Sequence, residues 1–159
     1  MKARRIYLND HLMTATGAIE LAGRAQGTMK AGPAGPWMAA AHRELTTERD
    51  LLLEAMGRLG VRRDRVKEGA GWLGEKVGRL KLNGSLLQRS PVSDVVELEG
   101  LLLLGEHNLA VLRTLRELAV QESALQALEL ETAIERAVAR RDTLEEQRAA
   151  AAVRALNAR

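Results

Sequence analysis

Residues 91–120 read PVSDVVELEGLLLLGEHNLAVLRTLRELAV, and this stretch decides the fold. Val95, Leu98, Leu102, Leu109 and Leu112 recur at intervals of three, four and seven. That spacing gathers them on one face of a helix but scatters them over both faces of a strand. Ser90 as cap and Pro91 in the first turn predict where the helix starts. At its middle, Leu101–Leu104 step through roughly 300° of the helix, at about 100° each. A helix apolar nearly all round at that level has to be covered from several sides, within the chain or by a second copy.

Working outward, no glycine or proline follows Gly105. Ser123 with Gln126 makes a capping-box pattern and predicts a fourth helix running to about Leu156, with an unbroken helix from Pro91 as the alternative. Upstream, Pro36 opens a helix with the stripe Met38, Ala41, Leu45, Leu52, Met56 and Leu59, ended by Gly60. One slot of that stripe holds Glu48. A first helix is predicted over Asn9–Gln26, with Leu8, Leu12, Ala15, Ile19 and Ala22 on its apolar face and Gly27 as its stop. Gly32, Pro33, Gly35 and Pro36 break the chain between the two. Residues 61–90 form a basic connection with a short amphipathic helix inside it. Val66, Ala70, Leu73, Val77 and Leu80 share a face there, and Leu73 is expected to be buried on the long helices.

The 159 residues suit one domain with a real core, and a hydrophobic share of 46% excludes a disordered chain. Tyr7, Trp37 and Trp72 are the only aromatics, so the core must be built from Leu, Val, Ala, Met and Ile. The expected architecture is all-α, a four-helix bundle over residues 1–159 with a short amphipathic crossover helix. The absence of cysteine excludes disulfides, thiol catalysis and thiolate metal sites, and fits the cytoplasm. No apolar run approaches the ~20 residues of a membrane span, and no apolar leader follows Lys2, Arg4 and Arg5.

Two long helices, a crossover and two more long helices are the element order of the ferritin-like bundles, which this chain resembles in that respect. The stretches YLNDHLMTATGAIELAGRA (7–25) and KVGRLKLNG (76–84) are also similar to small uncharacterised bacterial proteins. The ferritin resemblance implies a metal site made from a Glu on each of two helices and Glu-x-x-His on each of the others. Neither His11, His42 nor His107 has a Glu three residues before it. The remaining candidate ligands are Glu20, Glu48, Glu99 or Glu106, and Glu135. Glu99 and Glu106 share the stripe of Leu102 and Leu109 and are expected to face inward. A buried carboxylate needs a partner, and Arg49, Arg113 and Arg136 are candidates. His107 directly follows Glu106, so their side chains diverge on a helix. No local pattern couples a nucleophile to a base, and no catalytic residue or cofactor is assigned.

Charge is uneven along the chain. Residues 58–90 hold nine Lys or Arg against three acids, whereas 91–159 hold eight against twelve. Arg58, Arg62, Arg63, Arg65 and Lys67 are the candidate nucleic-acid or anion contacts, although Trp72 is the only aromatic near them. The same basic residues equally suit the acidic surface of the chain's own helices. A membrane-surface helix is disfavoured by Gly69, Gly71, Gly74 and Gly78. The sequence thus points to a non-enzymatic interaction or structural protein, with a homodimer plausible. Weak nucleic-acid binding through 58–89 is the first alternative, and a di-metal carboxylate protein with unusual ligands the second.

Overall fold

A computed structural model describes residues 2–30, 34–64 and 92–157. They form an all-α four-helix bundle: α1 (Lys2–Thr28), α2 (Gly35–Arg58), α3 (Ser93–Ala119) and α4 (Leu130–Asn157), with a 3-10 turn at Ser123–Leu125. The stripe Val66–Leu80 predicted for the crossover lies outside the described residues, as do Ser90 and Pro91. No helix among the described residues is long and apolar enough to cross a membrane.

Side-chain contacts fix the direction of each helix. Tyr7 meets Thr114, and Thr28 meets Glu97, so α1 and α3 run antiparallel. Asn9 meets Arg62 and Asp64, so the chain leaving α2 returns to the start of α1. Arg141 faces Glu106 and Arg148 faces Glu99, which makes α3 and α4 antiparallel. Asp64 therefore sits at one end of the bundle and Ser93 at the other. The connection between them must cross the length of α3, whose 27 residues rise roughly 40 Å.

α1 starts well before the predicted Asn9. Asn9 is not a cap but a buried clasp. Its amide donates to the Arg5 carbonyl at 2.8 Å and to the Arg62 carbonyl at 3.2 Å, while its Oδ1 accepts the Asp64 N–H at 2.7 Å. Leu8 beside it is fully buried, so this first turn is held by tertiary contacts rather than by a capping residue.

α2 behaves as its sequence predicts. Pro36 lies in the first turn, and Gly60 takes a left-handed φ of 64°. There Gly60 donates to Gly57 and Val61 to Met56, the paired bonds of a glycine-ended helix.

α3 and α4 correct the sequence reading in two places. Leu101 is buried and Leu102 and Leu104 half-buried, but Leu103 is 74% exposed, so three sides of that level are covered and the fourth is not. The chain does break after Ala119, yet Ser123 makes no side-chain cap and α4 waits until Leu130. The intervening segment turns Leu125, Leu128 and Leu130 inward to close the end of the core. Arg58 of α2 donates to the Ala124 carbonyl at 2.9 Å and holds this corner in place.

The core falls into two apolar halves. One gathers Leu8, Leu12, Leu52, Met56, Leu109, Leu112 and Leu115, closed by Leu125. The other is richer in alanine, with Ala18, Ala22, Ala25 and Ala41 beside Leu21, Met38, Leu45 and Leu98. Each leucine buried in either half stabilises the fold by about 1.5–3 kcal/mol. Between the halves, at mid-height, lie Glu48, Asn108 and Arg140, all buried.

Candidate functional site

The mid-height layer is built by three helices. Glu48 occupies the anomalous slot in the α2 stripe, Asn108 comes from α3 and Arg140 from α4. Arg140 Nη1 donates to Glu48 Oε1 at 2.5 Å and Nη2 donates to Oε2 at 2.9 Å, a two-pronged guanidinium–carboxylate pair. The two side chains are only 5% and 6% exposed. Nη1 also reaches Glu44 Oε2 at 3.3 Å, toward solvent. The Asn108 amide donates to Glu48 Oε2 over a long 3.4 Å, and its Oδ1 has no hydrogen-bond partner. Burying two charges is costly, but separating them would cost more, because a lone buried charge keeps its full desolvation penalty.

Above this layer α2 and α4 leave a groove of about 220 Å³. Its α2 wall presents Ala40, Arg43, Thr47 and Leu51, and its α4 wall presents Thr132, Ala133 and Arg136. Three carboxylates also line it, and each has a partner: Glu44 and Glu48 hold Arg140, and Glu129 accepts from Thr132 at 3.4 Å. Arg43 and Arg136 are both exposed, and neither has a carboxylate partner among the described residues.

A second polar cluster sits between α1 and α3. The rings of His11 and His107 stack with centroids 3.9 Å apart and planes 22° from parallel. Tyr7, one turn before His11, packs on it at 4.3 Å and shares a 3.0 Å hydrogen bond with Thr114. His11 is pushed down to about 4, first by burial and then by the charge of a protonated His107, with Asp10 opposing. His107 is also lowered by burial, again against Asp10. The two imidazoles are thus held neutral side by side, and His11 Nδ1 is buried without a hydrogen-bond partner.

The candidate carboxylates do not converge. Glu20, Glu99, Glu106 and Glu135 are exposed, and only Glu48 is buried. Glu99 and Glu106 face outward toward Arg148 and Arg141 because the buried face of α3 is centred on Leu98, Leu101, Asn108 and Leu112. That places it one residue away from the face their spacing suggested. No group of three or more His, Asp or Glu among the described residues is arranged to hold a metal ion. The suggested arginine partners are also elsewhere: Arg49 pairs with Asp50, Arg113 is exposed, and Arg136 lines the groove. His42 packs beside Gly23 where α1 meets α2.

Of the basic residues, Arg58 is engaged internally by Glu54 and the Ala124 carbonyl. Arg62 and Arg63 are exposed, and Arg65 and Lys67 lie outside the described residues. Sequence reasoning missed Arg140, Asn108 and the meeting of His11 with His107. The first two carry a periodic signal, since Arg140 is one turn beyond Arg136 and Asn108 interrupts an apolar face. The histidine pair carries none, because it depends on the register of two helices distant in the chain. No protein-family model, curated protein or solved structure matches this chain.

Proposed function

We propose that this chain is a non-enzymatic, cytoplasmic helical-bundle protein that works by binding rather than by turnover. The observation that carries this reading is the two-pronged pairing of Glu48 with Arg140. The acid best placed for chemistry, buried at the centre of the bundle, is committed to a guanidinium on a neighbouring helix. A carboxylate so occupied ties α2 to α4 and has no lone pair directed at a substrate. The cysteine-free composition supports a reducing compartment.

The helix order supports descent from a ferritin-like bundle. In that reading Arg140 supplies, at mid-height, the positive charge that a metal ion supplies in the metal-binding members. The outward-facing Leu103 and Val120 of α3, 74% and 77% exposed, are the residues through which two copies would meet.

The test is genetic. A chain carrying Glu48→Met, Asn108→Leu and Arg140→Leu together replaces the buried polar layer with apolar side chains of similar volume. It should fold and restore a deletion strain as well as the wild-type gene does. A folded triple variant that fails to restore the strain would show that the layer performs chemistry.

A further inference from the structure

We propose that the groove between α2 and α4 binds a small amphipathic carboxylate, an alkyl or aryl acid of modest length. The inference rests on the reading of this chain as a binding protein and assigns that reading a site and a ligand class. Charge accounting within the groove carries it. The carboxylates that line the groove are all engaged: Glu44 and Glu48 by Arg140, Glu129 by Thr132. The guanidiniums of Arg43 and Arg136 are not engaged by any carboxylate among the described residues. The groove's unspent hydrogen-bonding capacity is therefore cationic, and it comes from both walls.

The helices at the groove run antiparallel. Arg43 precedes Glu48 along α2, and Arg136 precedes Arg140 by one turn along α4. The two arginines therefore approach from opposite sides of the buried ion pair. Each guanidinium offers several donors in a planar fork, the geometry that suits a carboxylate. Between them the surface is apolar, made by Leu51, Ala133, Ala40 and the methyl groups of Thr47 and Thr132. A ligand body lying there loses water on both sides. A volume of about 220 Å³ accommodates a short alkyl chain or a single aromatic ring and excludes a bulky polycyclic acid. A cationic ligand is disfavoured because each groove carboxylate would first have to give up its present partner.

The experiment is calorimetric titration of the full chain with octanoate, and in parallel with octylamine, which keeps the apolar body and reverses the charge. Octanoate should bind saturably at one site, and octylamine should not. Arg43→Gln and Arg136→Gln should each weaken octanoate about tenfold, as expected for one charge-assisted contact. Arg113→Gln, an exposed arginine outside the groove, should leave it unchanged. Both groove arginines are exposed, so these variants should keep the wild-type circular dichroism and melting temperature. Absence of saturation at millimolar octanoate, equal binding of octylamine, or wild-type affinity in both groove variants would each overturn the proposal. Such a failure would remove the ligand class alone. The non-enzymatic reading is decided separately by the triple variant in the deletion strain.

Discussion

At the scale of single residues, His11 shows how neighbours reset a side chain. Its folded-state value of about 4 lies below the ordinary 6.5 because burial and His107 both disfavour a charge there. Between those two values the unfolded chain takes up a proton that the folded chain refuses. The contribution of neutral His11 to stability is therefore complete above about pH 6.5 and is lost as the pH falls toward 4. Allowing for solvent screening, the loss should be about 1–2 kcal/mol. Urea unfolding at a series of pH values should show a shallower acid slope for His11→Leu than for wild type. Parallel slopes in that window would mean that His11 titrates normally in the folded protein. Glu48 was legible in the sequence as a charge standing in an apolar stripe. Its partner was not, because only the packing of α4 against α2 selects Arg140 over Arg136.

At the scale of the helices, apolar periodicity located all four, and Pro36 and Gly60 marked the limits of α2. Two features escaped it. The rotation of α3 about its axis is set by α1 and α4 together, so Leu101–Leu104 alone could not show that Leu103 would face outward. The turn before α4 is set by leucines reaching into the core rather than by a cap, so Ser123 and Gln126 gave a false start. The two leucines Leu125 and Leu103 test this directly. Leu125 lies in the turn but is fully buried, whereas Leu103 lies in a helix and is 74% exposed. Leu125→Ala should cost about 2–5 kcal/mol and Leu103→Ala less than about 0.5 kcal/mol, measured by denaturant unfolding. A larger loss from Leu103→Ala would show that a second copy covers it.

At the scale of the whole molecule, two apolar half-cores are joined by one polar layer, and that layer ties α2, α3 and α4 at a single height. A fully apolar bundle would tolerate one helix sliding a turn along its neighbours. The Glu48–Arg140 pair penalises such a slip by leaving both charges buried and unpaired. Asn108 adds a directional bond from the third helix. This arrangement explains how the chain can keep charges in its interior without using them for chemistry. It also explains why the α2/α4 face stays polar enough to hold a groove beside the ion pair. The central claim is that the layer acts as one structural unit, and equilibrium unfolding of Arg140→Leu beside the triple variant Glu48→Met, Asn108→Leu, Arg140→Leu tests it most directly. Arg140→Leu alone should lose about 3–5 kcal/mol, and the triple variant should recover to within about 1–2 kcal/mol of wild type. A triple variant no more stable than Arg140→Leu would contradict it.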